Sequence, residues 1–414
     1  MKSAQKPKIA LALAGGGPLG AVYEIGALLA LEEALDGLDL NAFDVYVGVS
    51  AGSFLNAALV NQFKPLEIYQ RFIDNESAST RRGAIKPELF LKPALREYWR
   101  RAMSVPGLLI KGGLRYLAAP LRRTPVEAFA ALSQATPVGI FDNEAIARFL
   151  QKTFSEPGRT DDFRRLPHKL FAVAVDLDTG KAIPFGSKGL DHVPISKAVQ
   201  ASAALPGLFP PVQIDGHFYV DGVLKKTVHA SLAFEEGAEL VICINPLVPF
   251  DADAAAVNPG RRMKKLIEGG LPVVLSQTFR TLIHSRMHVG LEKYADKYPK
   301  ARLVLFEPSC DDAEMFFTNL FSYSARKRVC EHAYQHTRRD LLKRREELEP
   351  LFAQYGIRLN IEALQDSSRT LQDKVASLSR RRQMGKAQVD LSEALGKLQG
   401  FVERSRKTSI NQKI

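Results

Sequence analysis

Three short runs carry residues whose types and spacing could do acyl chemistry. The first, Gly48-Val-Ser50-Ala-Gly52, sets a serine between two glycines, directly after an apolar, β-rich run and before a helical one. Small neighbours allow a tight strand-to-helix turn that lifts the hydroxyl at a helix N-terminus, where it can act as a nucleophile. A Gly-flanked N-cap serine would read the same way. The second run, Gly15-Gly16-Gly17-Pro18-Leu19-Gly20, follows the apolar stretch 8–14 and supports two chemistries. Gly15, Gly17 and Gly20 have the G-x-G-x-x-G spacing of a dinucleotide-binding turn, yet the same bare amides could hold the oxyanion formed when a serine attacks an ester. A dinucleotide site calls for an acid at the end of the next strand, to hold a ribose hydroxyl. That strand ends in Val49 and Ser50, so the oxyanion reading is favoured and no cofactor is expected.

A serine nucleophile needs a base. His284, His288, His332 and His336 all lie in helical, basic stretches and read as surface or packing histidines. The better candidate is Asp221 in HFYVDGVLKK, where a β-rich run turns at Gly222. A desolvated carboxylate is basic enough to take the hydroxyl proton, which gives a Ser-Asp dyad without histidine. An Asp-Gly turn is also common for purely structural reasons. His284 and His288 are four residues apart, as are His332 and His336, so each pair could form one face of a metal site. Their surroundings, HSRMH and HAYQH, lack the glutamate of a metalloprotease helix and offer no third ligand nearby, so no metal is expected. Cys243, Cys310 and Cys330 are isolated, which points to a reducing compartment and away from a disulfide framework.

These runs need elements to position them. KIALALA (8–14), FDVYVGV (43–49), KLFAVAVDL (169–177), HFYVDGV (217–223) and ELVICINP (239–246) read as strands, with helical stretches between or after them. That alternation predicts α/β layers around a mostly parallel sheet. Residues 80–140 interrupt it with a segment rich in Pro, Arg and aromatic residues, expected to be an insertion at the sheet's edge or mouth. From 246 to 364 the pattern turns helical, and 365–414 is a polar, basic tail, helical or disordered.

The runs GGGPLG, GVSAG and DGV, in that order, resemble the motifs of the patatin-like phospholipases, as do FAVAVDLDTGKAIPF and ISKAVQASAALPGLFPPVQIDGHFYVDG between them. The resemblance covers roughly residues 8–245. It implies a patatin-like three-layer α/β/α fold with a mostly parallel central sheet, followed by a helical C-terminal region. It also implies Ser50 as acyl-enzyme nucleophile, Asp221 as its partner, and Gly15, Gly16 and Gly17 as the oxyanion loop, with Gly48 and Gly52 shaping the elbow. The implied activity is hydrolysis of phospholipid or related acyl esters, with no metal or cofactor. A non-catalytic lipid-binding protein of the same fold is the alternative. It draws on two departures from the family pattern: Leu19 where Arg or Lys is usual, and Val223 in the D-G-[GA] motif. Pro18 contributes no N–H, and Thr227 and His229 stand where Asn and Pro are usual.

The formal net charge is +12, concentrated in two segments. Residues 86–126 hold nine Lys/Arg against two Glu, and residues 365–414 hold eleven against five acids. Basic residues interleaved with bulky apolar ones suit an anionic membrane surface better than a nucleic-acid groove, so Trp99, Arg100, Arg101, Arg122 and Arg123 are expected to meet lipid. The start, MKSAQKPKIALALAGGG, imitates a signal peptide, but its apolar run is short and flows into the glycine turn, so it reads as the first strand. No apolar run approaches the ~18 residues of a membrane span. A cytoplasmic protein peripherally attached to membranes is expected.

Overall fold

Ile9–Leu13 (β1) is apolar at every position and buried at every position, as a strand must be when both faces of its sheet are covered. The computed structural model describes residues 6–74, 92–118, 135–256, 265–317 and 323–378. Residues up to Leu364 form one compact unit, and those from Gln365 a second.

The first unit is built on an eight-stranded sheet. After β1 come β2 (Val45–Val49), β3 (Lys169–Asp176), β4 (Ala182–Phe185), β5 (Val212–Ile214), β6 (His217–Asp221), β7 (Leu240–Ile244) and β8 (Arg302–Phe306). Their order is β5-β6-β3-β2-β1-β7-β8, with β4 also paired to β3. The five strands from β3 to β8 in that order run parallel, while β4, β5 and β6 add antiparallel pairings at one side. From β1 the chain winds outward through β2 and β3 on one side, and later returns to fill the other side with β7 and β8. The order reverses at β1, and the crevice at the carboxyl ends of strands beside such a switch is where open α/β sheets bind ligands.

Alternate residues along the parallel strands face opposite layers. Ala10, Ala12, Val45, Val47, Phe171, Val173, Val241 and Cys243 share one buried cluster, against which Ile283 and Tyr294 of the helix Gly270–Lys297 pack. The other face is covered by α1 (Gly17–Ala34) and α2 (Ala51–Val60). Helix α1 is buried along most of its length because Tyr323–Lys343 packs over it from outside. Further helices used below are α3 (Pro65–Phe72), α4 (Leu95–Ala118), α5 (Glu144–Phe154) and α6 (Ile195–Ser202). The helices Gly270–Lys297 and Tyr323–Lys343 are called α7 and α8.

Candidate active site

Strand β2 ends at Val49 and α2 begins at Ala51, so Ser50 makes the whole turn between them. It does so at φ 51°, ψ −119°, a conformation an L-residue holds only when its surroundings over-determine it. Those surroundings are explicit. The Ser50 N–H donates to Ser202 Oγ at 2.8 Å, Ser202 in turn donates to the Val173 carbonyl at 2.6 Å, and Ser53 Oγ donates to the Ser50 carbonyl at 2.6 Å. The flanking glycines are required by close approach: a Cβ on Gly48 would lie 2.3 Å from Ser53 Cα, and one on Gly52 would lie 2.4 Å from the Leu13 carbonyl oxygen.

Asp221 closes β6, antiparallel to β3, and is 1% exposed. Its Oδ1 accepts the Val223 N–H at 2.9 Å, and the Ser50 side chain lies close enough to the carboxylate to lower its pKa. Burial pushes its pKa up to about 7, the Val223 N–H and the Ser50 side chain pulling the other way. A carboxylate in that range exchanges protons near neutral pH, as a general base must. Val223, a departure at sequence level, thus supplies its amide to the carboxylate. Its side chain rests against Gly15: a Cβ added there would stand 3.3 Å from Val223 Cγ2 and 3.1 Å from Ser50 Cβ. His229 is buried behind the turn, its Nε2 3.3 Å from the Gly222 carbonyl, and burial lowers its pKa to about 4. It is therefore a neutral donor to that carbonyl, a prop for the Asp221 turn.

The three glycines continue β1 into α1 beside Ser50. Gly17 has φ 59°, and a Cβ on Gly16 would fall 2.8 Å from both Gly20 Cα and Pro246 Cγ. No described residue accepts a hydrogen bond from the Gly16 or Gly17 amide, as is usual at a helix start. Two donors at the positive end of an 18-residue helix form a place for developing negative charge. Behind this loop Glu24 is fully buried in α1, and burial raises its carboxyl well above the usual range.

Ser50 opens into a narrow cavity of about 70 Å³ whose walls include Val22, Phe54, Ile146, Val199 and Phe209. This apolar slot suits a hydrocarbon chain. Among the described residues one cation stands in its wall: Arg326 of α8, whose Nη1 donates to the Phe72 carbonyl at 3.2 Å. Sequence reasoning missed both Arg326 and Ser202. Ser202 lies in the quoted run ISKAVQASAALPG, so a signal for it existed, whereas Arg326 comes from a helix with no motif. A roomier cavity of about 500 Å³, lined in part by Asp312, His332 and His336, does not include Ser50. There His332 Nε2 lies 2.6 Å from Asp312 Oδ2, and the Asp312 carboxylate raises the His332 pKa.

For the other histidine pair the structure differs from the sequence expectation. Glu307, just past β8, comes within ligand range of His284 and His288, and no spacing along the chain could have shown that third group.

The expected lipid-facing segment is described in part. Helix α4 turns Leu95, Trp99, Met103 and Ile110 outward, each more than 60% exposed and spaced to lie along one side. Arg100 and Arg101 both pair with the buried Glu97, Arg101 Nε at 2.8 Å, which cancels part of their charge. Arg122 and Arg123 lie outside the described residues. The segment is tied to the slot: Lys92 and Ala94 bond to residues 140–142, and the Phe141 N–H donates to the carbonyl of Leu208, next to the wall residue Phe209. A second exposed apolar line, missed at sequence level, runs along α7 through Leu271, Leu275, Leu282 and Val289. Among the described residues no helix is long and apolar enough to cross a membrane.

A serine on a strand-to-helix elbow beside a buried aspartate, at the carboxyl end of a mostly parallel sheet, defines an α/β protein of nucleophile-elbow type. The sequence pattern of the patatin-like phospholipases matches residues 11–234, more than half of the chain. The chain belongs to that family of lipid hydrolases. Solved structures similar to it include VipD from Legionella pneumophila, 14% identical with a TM-score of 0.38, covering 81% of this chain and 66% of that one. Another is full-length ExoU of Pseudomonas aeruginosa in complex with SpcU, 16% identical with a TM-score of 0.30, covering 80% of this chain and 52% of that one. The chain thus spans about two-thirds of VipD and about half of ExoU.

Proposed function

We propose that this protein is a serine esterase that cleaves the carboxylic ester bonds of phospholipids or lysophospholipids at an anionic membrane surface. The observation that carries the proposal is the fully buried Asp221 carboxylate, poised near neutral pH by burial, with the Ser50 side chain close enough to lower its pKa. Asp221 takes the hydroxyl proton as Ser50 Oγ attacks the ester carbonyl. The amides of Gly16 and Gly17 meet the oxyanion, with Gly15 leaving room beside the nucleophile. Collapse of the tetrahedral intermediate expels the alcohol, which takes the proton back from Asp221, and leaves an acyl group on Ser50. Water, deprotonated by the same carboxylate, then releases the fatty acid. The apolar slot beside Ser50 would hold the acyl chain, and the exposed face of α4 at its rim would rest in the lipid interface.

A non-catalytic lipid binder would draw on Val223 and Leu19, but Val223 serves the dyad through its amide and so leaves the chemistry intact. A fluorophosphonate probe separates the two readings. Labelling of the wild type but not of Ser50→Ala, with free fatty acid released from a phospholipid and lysophospholipid panel, supports the esterase. Absence of labelling in the presence of every lipid tried supports the binder.

A further inference from the structure

Three potential ligand atoms gather at the carboxyl end of β8, three strands along the sheet from β2. His284 and His288, one turn apart on α7, bring their Nε2 atoms to 3.2 Å of each other. Glu307 Oε1 stands 3.7 Å from the first and 4.0 Å from the second. The last two distances are too long for hydrogen bonds, yet the three ligand atoms all lie within 4.8 Å of one another. A tetrahedral zinc ion with bonds of about 2.1 Å holds its ligand atoms about 3.4 Å apart. The His–His separation is already close to that value, and Glu307 reaches it by moving about half an ångström.

The carboxylate is held for this arrangement from behind. Asn245, fully buried at the end of β7, donates from Nδ2 to Glu307 Oε2 at 3.1 Å. Its own Oδ1 accepts the Leu247 N–H at 3.0 Å, which fixes which end of the amide faces Glu307. One carboxylate oxygen is thus occupied and the other left for the histidines, the outer support that metal-binding carboxylates typically have. His288 is half exposed, so a fourth position is open to water and to an incoming ion.

The geometry points to a zinc-class divalent cation site formed by His284, His288 and Glu307. Two imidazoles and one carboxylate are borderline ligands that favour zinc over calcium or magnesium, which prefer all-oxygen cages. The ion would tie α7 to the end of β8. That helix also reaches the oxyanion loop: Arg280 Nη1 donates to the Val248 carbonyl at 3.1 Å and approaches that of Pro246, whose ring packs on Gly16 and Gly20.

The test is zinc titration of the full chain, after chelator treatment and dialysis, in competition with a chromogenic chelator. Cobalt(II) substitution reports the geometry. We expect one tightly held zinc per chain, tetrahedral d–d absorption with cobalt, and a rise in Tm on adding zinc. His288→Ala removes a half-exposed ligand and Glu307→Gln keeps the carboxylate's shape. Each should weaken zinc binding at least tenfold and abolish the Tm rise, while the metal-free variants melt like metal-free wild type. The assignment is overturned if the wild type holds no zinc beyond the His284→Ala/His288→Ala double variant, or if the single variants bind zinc as the wild type does. None of these readouts depends on ester hydrolysis.

Discussion

Replacing Asp221 by Asn should abolish hydrolysis and at the same time stabilise the protein, in a pH-dependent manner. In the folded state the carboxyl titrates near 7, against an ordinary value of 3.8. At about 1.4 kcal/mol per unit, ionising Asp221 at pH 8 or above costs the folded state about 4 kcal/mol relative to the unfolded chain. The sign follows from linkage. Between pH 4 and 7 the folded state binds a proton that the unfolded state has released, so this group's contribution is fully present below about pH 4. It is lost as pH rises through 7. Asparagine keeps the shape and an oxygen for the Val223 N–H but never ionises. Relative to wild type, Asp221→Asn should gain about 2–4 kcal/mol at pH 8 and almost nothing at pH 4, as read by urea denaturation at both values. Loss of the base should lower kcat on a soluble ester by about 10²–10⁴-fold. In the wild type, kcat/KM should climb with pH toward a plateau above about 7. The reasoning fails if the variant is destabilised equally at both pH values, because the carboxylate would then be welcome as an ion. Near-normal turnover would show that some other group takes the proton, and His229, which touches the same turn, would be examined first.

Ser202→Ala should lower turnover on a soluble ester by roughly tenfold and stability by about 1–3 kcal/mol, since it strands the buried Ser50 N–H that holds the elbow; unchanged values in both assays would remove Ser202 from the site. Gly16→Ala should lose most activity, because its Cβ would collide with Gly20 Cα and Pro246, and wild-type kinetics from a folded Gly16→Ala would free the oxyanion loop of that constraint. Changing Arg100, Arg101, Arg122 and Arg123 together to Ser should weaken co-sedimentation with anionic vesicles, more so at low salt, and spare hydrolysis of a short-chain ester. Because Arg100 and Arg101 share Glu97, Trp99→Ala should weaken vesicle binding more than Arg100→Ser does; the reverse ranking would make charge, not the apolar face, the anchor.

The candidates Ser50 and Asp221 were legible because chemistry at strand ends leaves local marks. Ser50 needs glycines within two residues to turn so tightly, and Asp221 needs a following residue whose amide can bend back to it. The parallel core was legible for a similar reason, since strands covered on both faces read as unbroken apolar runs, as in Ile9–Leu13. What escaped notice depends on contacts between distant segments. Arg326 enters the slot from a helix about 275 residues after Ser50. Glu307 and His284 meet only because β8 lies under α7. Val223 read as a departure from the motif because the motif specifies its side chain, whereas Asp221 accepts its main-chain N–H.

Because β1 lies between β2 and β7, the first of the eight strands to be synthesised is among the last to have both edges covered. Ala10 through Leu13 can pair with Val45 through Gly48 early in synthesis, but their other edge waits for Leu240 and beyond. A nascent chain that has emerged as far as residue 234 carries all three motifs and presents β1 as a bare apolar edge, ready to pair with any neighbouring chain. Such a fragment also lacks Pro246, so nothing packs on Gly16 and Gly20 from that side. Activity should therefore arise late in biosynthesis, and a fragment cut at the family's boundary should aggregate before it hydrolyses anything.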